Sequence, residues 1–543
     1  MTDGHSGKVY DAIVIGAGHN GLTAAAYLAA AGRQVLVLER RGVVGGACVT
    51  EELAPGYRVS TCSYLVSLLA PSVINDLDLA RHGYRMIPRA PASFTPLPDG
   101  RFLLLGRDQA SNQREIAKFS RRDAEAFPRY EAFLTRVAEA LEPILEEPVP
   151  ALVPLPSSWR RRPLGRRLAD LFGTLRLRRA LARLGEEQAP ALRLLLDSAR
   201  QVLDGWFESE VLKATLATDG VIGALASPST PGTGYVLLHH VMGRAGGQRG
   251  VWGYAAGGMG AISEALAASA RERGAEIRTG VGVAQILSHA GRASGVRLAD
   301  GNTIAARVVL SNATPAVTYR QLLPDGTLPA GFVAAVDAID YGSASAKINL
   351  AVDGLPDFIA RPGDGTPGPE HRGTIHMGPD LETLERAFDA AKYGQISPHP
   401  LIEMTIPSVL DDALAPPGRH VVQLFVQYAP YQLRDGDWNG QREVLAERCL
   451  AEIDRYAPGF SGKVLYRQVL TPPDLERDFG LTGGNIFHGA MSPSQLLSLR
   501  PVLGWADHRC PLPGLYLCGA GAHPGGGVSG LPGRNAARAV LAD

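Results

Sequence analysis

Gly16, Gly18 and Gly21 stand in GxGxxG spacing directly behind the short apolar run Ile13-Val14-Ile15. The pattern fixes a buried strand, a tight turn and a helix, in that order. Gly16 permits the turn, Gly18 lets the backbone approach a pyrophosphate, and Gly21 lets the helix pack against the strand. The helix, from about Gly21 to Ala31, is rich in alanine and free of proline. It has good intrinsic propensity, and its positive end favours phosphates. Gly32 closes it, Val35–Leu38 forms a second strand, and Glu39 stands at that strand's carboxyl end. A carboxylate there accepts both ribose hydroxyls of an adenosine and repels a 2′-phosphate. A lone GxGxxG is weak evidence, but strand, turn, helix, strand and acid in this order predict a dinucleotide site.

At 543 residues the chain exceeds the usual single-core size of ~250–300 residues, so two domains are expected. Lys+Arg and Asp+Glu are equal at 54 each, and nothing in that balance calls for nucleic acid as a partner. The five cysteines, Cys48, Cys62, Cys449, Cys510 and Cys518, form no CxxC pair. Thiol–disulfide chemistry and a zinc site both lose their simplest basis, and a reducing compartment is expected. No apolar run approaches the ~18–20 residues of a membrane span. Only nine residues precede Tyr10, too few for a signal or transit peptide. Six lysines stand against 48 arginines, a bias of GC-rich coding, so a bacterial cytoplasm is the expected location.

Further along, the segment 47–72 carries a YRVSTCSYLVSLL run that reads as a strand leading into a helix. Pro98-Asp99-Gly100 predicts a hairpin turn within 84–106. From Ala110 to Glu147 apolar residues recur at helical spacing, with Phe119, Phe127, Tyr130, Phe133, Leu134, Val137 and Leu141 as expected core. A basic helical segment at 157–185 then interleaves Arg160, Arg161, Arg162, Arg166, Arg167, Arg176, Arg178, Arg179 and Arg183 with Leu164, Leu168, Leu171, Phe172, Leu175 and Leu177. Two readings stand: a solvated face whose apolar stripe packs on its own domain, or a contact with an anionic membrane surface. His239 and His240 are adjacent, about 100° apart on a helix, and cannot chelate one metal together.

Near Trp252 the chain returns to nucleotide-domain character. Gly257-Gly258-Met259-Gly260 opens a helix from Ala261 to Arg273. Short strands at Ala275–Thr279, Val281–Ser288, Gly295–Leu298 and Thr303–Val309 then predict a meander that ends in VVLSNATP. Strands around Lys347–Val352, Pro400–Ile406 and Val421–Tyr428 follow, with a helix from Arg442 to Tyr456. The stretch 514–541 repeats strand, glycine loop and helix, but no second GxGxxG unit appears. The expected organisation is α/β: a nucleotide-binding domain from 1–83, 250–317 and 500–543, interleaved with an α+β substrate domain from 84–249 and 318–499.

The fingerprint IVIGAGHNGL with Glu39 and Gly45-Gly46, the GGMG helix start, VVLSNATP and the terminal YLCGAGAHPGGGVSGLPGRNAA resemble the flavoprotein group of phytoene desaturases and carotenoid ketolases. The likeness runs over nearly the whole chain. It implies non-covalent FAD in a glutathione-reductase-like Rossmann domain, with a substrate domain over the flavin's reactive face. Carried over by position, Gly16, Gly18 and Gly21 would contact the pyrophosphate, Glu39 the ribose, and Gly45 and Gly46 the diphosphate side. Val283 would meet the adenine, and Gly519, Gly521, Gly526, Gly527 and Val528 would lie near the ribityl chain and isoalloxazine. The group includes mitochondrial members, so a eukaryotic chain of this kind would be expected there.

With FAD bound, the cofactor performs the redox step and the protein supplies position and electrostatics. The expected reaction is hydride removal from, or return to, an apolar or conjugated organic substrate. With one nucleotide fingerprint, electrons would pass to quinone, oxygen or a nicotinamide bound without one. His523 is the candidate acid–base group, with His488 and Arg534 behind it. Two other functions stay open: a carotenoid desaturase or ketolase at a membrane surface, with a long apolar tunnel, and a non-catalytic interaction protein that holds flavin. A homodimer is compatible with either, and no metal site is expected.

Overall fold

The computed structural model describes residues 8–147, 149 and 164–543. Its central strand, Tyr10–Ile15, lies between two parallel partners, Val35–Leu38 and Thr303–Ser311. Ile13 and Val14 are fully buried, as a strand covered on both faces requires. The sheet has seven strands, ordered Val283–His289, Arg292–Leu298, Thr303–Ser311, Tyr10–Ile15, Val35–Leu38, Glu276–Arg278, with Leu515–Leu517 also paired to Thr303–Ser311. The helix His19–Ala30 packs against Gly260–Glu272 and Leu531–Leu541. That approach is close because Gly533 has no side chain: a Cβ there would sit 2.0 Å from the Asn20 carbonyl oxygen.

A second seven-stranded sheet runs Val464–Leu470, Ser345–Val352, His420–Gln427, Leu401–Thr405, Thr374–Met377, Ser93–Pro96, Phe102–Leu105. The helix Trp438–Tyr456 shares an apolar core with it through Leu445, Cys449 and Ile453. Helices Arg121–Leu145, Glu210–Val221 and Thr233–Val241 build a further core through Phe127, Leu134, Leu212 and Leu237. Phe119 and Leu141, expected in the core, are only partly buried against it.

Two expectations are corrected. Glu276–Arg278 does not join the meander; it pairs in parallel with Val35–Leu38 at the opposite edge. The helix Gly260–Glu272 acts as a crossover and delivers the chain there, as parallel strands require. The YRVSTCSYLVSLL run forms the strand Tyr57–Ser60, but no helix begins before Pro71. Residues between them are irregular and reach a cavity.

The basic helix Leu164–Ala182 is present, whereas Arg160, Arg161 and Arg162 lie outside the described residues. Leu168, Leu171, Phe172 and Leu175 fall at i, i+3, i+4 and i+7 on one side of it, and they are 38% to 60% exposed. The apolar stripe therefore faces solvent and not its own domain. Among the described residues no helix is long and apolar enough to cross a membrane.

Gly533→Val tests the helix contact. Overpacking of this kind costs about 1–3 kcal/mol, so calorimetry should show a melting temperature lowered by several degrees. An unchanged value would mean that the two helices can separate freely at this point.

Candidate active site

One cavity of about 770 Å³ runs from the glycine turn to the second sheet. Gly16, Gly18, Glu39, Gly45, Gly46 and Val283 line its first half. The Gly16 turn is left-handed, with φ +91°, and a Cβ on Gly18 would lie 2.6 Å from Asn312 Nδ2. Gly21 is one step removed: its missing Cβ would meet the Gly16 carbonyl oxygen at 2.2 Å, so it serves the packing of helix on turn. Glu39 is buried and held by backbone amides, Oε2 accepting from Ala17 N at 2.8 Å and Oε1 from Arg41 N at 2.9 Å. A carboxylate has about four acceptor sites, so two remain for ribose hydroxyls.

Buried polar atoms in the wall also lack protein partners. Among the cavity-lining residues these atoms include His19 Nε2, Asn20 Oδ1, Arg41 Nη1 and His488 Nδ1. Buried polar groups are rarely left unpaired, and a dinucleotide's phosphates, hydroxyls and ring edges would meet such atoms. The residues present therefore fit FAD. Asn312, from the VVLSNATP segment, closes the groove between Gly16 and Gly18 and was not singled out by the sequence.

The terminal glycine loop divides. Gly527 and Val528 line the cavity, but Gly519, Gly521 and Gly526 do not. A Cβ on these three would strike the Asn312 carbonyl oxygen at 2.6 Å, Pro315 Cδ at 2.4 Å and Phe487 Cδ1 at 2.1 Å. Their smallness lets the loop lie against the protein itself.

The candidate catalytic His523 is placed elsewhere. Its ring is buried, with Nε2 2.9 Å from the Ile144 carbonyl oxygen, and it does not reach the cavity. Arg534 Nη1 donates to the Glu146 carbonyl oxygen at 3.2 Å, and Asn535 Nδ2 to that of Leu145 at 3.4 Å. Together the three satisfy carbonyls that the helix Arg121–Leu145 leaves free at its C-terminal end. Their role is to tie that helix to the nucleotide domain. His488 does line the cavity, and burial and then the Arg500 charge push it down to about 3, so it is neutral. All five cysteines are free.

The other half of the cavity holds groups that motif reading missed. Lys347, on the strand Ser345–Val352, is driven down to about 7 by burial and bonds Asn349 Oδ1 at 2.9 Å. Tyr64 donates to Glu403 Oε2 at 2.8 Å. Burial, then the neighbouring Asp219, raises Glu403 to about 7, and burial raises Asp219 likewise. Arg89, Thr374 and His376 complete a polar wall, while Phe127, Leu134, Leu216 and Leu237 supply apolar surface. One signal was available for Lys347: a charged residue among six lysines in the chain, interrupting an otherwise strand-like run.

Glu39→Arg removes the ribose acceptor and puts a cation in its place. Retained flavin per protein, read by absorbance after gel filtration, is expected to fall tenfold or more, and unchanged retention would remove Glu39 from the site.

The flavin-containing amine oxidoreductase family model matches residues 21–541. Mouse pyridine nucleotide-disulfide oxidoreductase domain-containing protein 2 is 52% identical over 98% of this chain and 94% of its own. A limonene dehydrogenase component from Castellaniella defragrans is 27% identical over 99% of this chain and 95% of its own. An oxidoreductase from Methanosarcina mazei shares the fold, with a TM-score of 0.60 at 18% identity over 98% of this chain and 100% of that one. With the dinucleotide groove and its unpaired polar wall, these likenesses make the chain an FAD-dependent oxidoreductase of the flavin-containing amine oxidoreductase family.

Proposed function

We propose that the protein takes hydride from, or returns it to, an organic substrate with an apolar body, and that the electrons leave through quinone, oxygen or a nicotinamide. The observation that carries this is the continuity of the cavity: the groove at Gly16 and Glu39 opens into a region walled by Phe127, Leu134, Leu216 and Leu237. Bound FAD would supply the hydride acceptor. The chain's own residues exclude water and orient the substrate along the apolar helices, and Lys347 Nζ is held where it exchanges a proton near neutral pH. The name of the limonene dehydrogenase component points to an apolar terpene and supports the same substrate character. A carotenoid would need a long apolar tunnel, whereas Arg89, His376 and Glu403 interrupt this one, which favours a smaller substrate.

The exposed stripe Leu168, Leu171, Phe172 and Leu175 favours contact with an anionic membrane surface, where apolar substrates dissolve. Arg178, Arg179 and Arg183 on the same helix and its exit are exposed and suit anionic headgroups.

The absorbance spectrum followed by anaerobic titration with candidate reductants tests the first reading. A flavin band that bleaches and recovers with quinone or oxygen is expected, and a flavin that nothing reduces would overturn it. For the second, flotation with phosphatidylserine-containing vesicles should carry the protein, and Leu171→Ser with Phe172→Ser should weaken this about tenfold. No binding to such vesicles would sink the membrane contact.

A further inference from the structure

Two buried cations outside the cavity are saturated. Arg500, 2% exposed, donates to the carbonyl oxygens of Phe487, Gly489, Ala490, Gln495 and Ala520. Lys213 pairs with Asp204 and Glu210 at 2.7 Å each. Arg89 differs. It follows the strand Met86–Pro88, is 4% exposed, and lines the cavity. One guanidinium nitrogen donates to Thr374 Oγ1, Nε has no partner, and Arg89 enters no ion pair among the described residues. The Tyr254 ring lies 5.8 Å from centroid to guanidinium carbon, and the Asp219 carboxyl is near enough to feel the charge of Arg89 without forming an ion pair with it. A buried charge without a directly paired counter-charge is expensive, and an arriving anion would offset that cost.

We propose that Arg89 is the binding site for a substrate carboxylate, so that the substrate is an acid with an apolar tail. This rests on the flavoenzyme reading above and names the substrate class of the same site. Arginine presents a planar fork that matches a carboxylate with two parallel hydrogen bonds. Thr374 fixes the guanidinium from one side. The tail then has the apolar surface of Phe127, Leu134, Leu216 and Leu237 in the same cavity. The nearby carboxyls do not forbid an anion. Glu403 already accepts from Tyr64, and both it and Asp219 are raised to about 7, so each can take a proton and donate to the ligand instead of repelling it. His376, bonded to Thr218 Oγ1 at 3.2 Å, is kept neutral by burial and by the charge of Arg89.

The test uses three probes of equal tail length, decanoate, decylamine and 1-decanol, titrated into the FAD-loaded protein below their micellar concentrations. Perturbation of the flavin absorption band reports binding. Decanoate is expected to bind at least tenfold more tightly than either of the others, and Arg89→Gln to lose that preference while keeping its flavin. Thr374→Val, which leaves the charge but frees the guanidinium, should weaken decanoate severalfold and serves if Arg89→Gln does not fold. Tighter binding of decylamine, no perturbation by any probe, or decanoate affinity unchanged in both variants would overturn the proposal. A wild-type protein without reducible flavin would instead overturn the flavoenzyme reading, so the two failures are distinguishable.

Discussion

The parallel ladder between Tyr10–Ile15 and Thr303–Ser311 is the contact on which the molecule depends. It joins residues from opposite ends of a very long loop, and the entropic cost of such closure grows only slowly with length. The helices that wall the cavity and part of the second sheet can therefore be inserted without destabilising the nucleotide sheet. Once the ladder forms, the VVLSNATP segment lies beside the glycine turn, and Asn312 reaches Gly16 and Gly18. The cofactor groove is thus a product of two distant strands meeting.

A second tie joins the two halves. The C-terminal carbonyls of the helix Arg121–Leu145 are met by His523, Arg534 and Asn535, which belong to the terminal loop and helix of the nucleotide domain. Each of the three gains one hydrogen bond that offsets part of the cost of its burial, while His523 Nδ1, Arg534 Nε and Asn535 Oδ1 have no hydrogen-bond partner. The same helix presents Phe127 and Leu134 to the cavity, so this tie also sets the position of the apolar wall. A histidine beside a glycine-rich flavin loop can hold the scaffold and take no part in the chemistry.

The cavity itself is uneven in character. Phe127, Leu134, Leu216 and Leu237 come from helices, Lys347, His376 and Glu403 from strands, and Asp219 from the helix Glu210–Val221. In a low-dielectric setting, carboxyls and a lysine drawn toward neutrality can exchange protons without carrying permanent charge. That combination suits a reaction in which hydride and proton leave separately.

The local periodicities were legible in the chain alone: the first βαβ unit, the hairpin at 98–100, the strand Lys347–Val352 and the helix ending at Tyr456 all follow from apolar spacing and turn residues. Glu39 and the first three glycines could be assigned because their roles are set by neighbours within a few residues. Sequence order could not show where Glu276–Arg278 would pair, because a short strand carries no record of its partner. Nor could it place Arg89, Asp219, Lys347, His376 and Glu403 around one cavity, since they come from five separate segments of the chain and no spacing links them. The sequence determined the cofactor fold through short-range stereochemistry; tertiary structure alone decided the cavity wall and the solvent-facing stripe of the basic helix, because burial is a property of what packs against a residue.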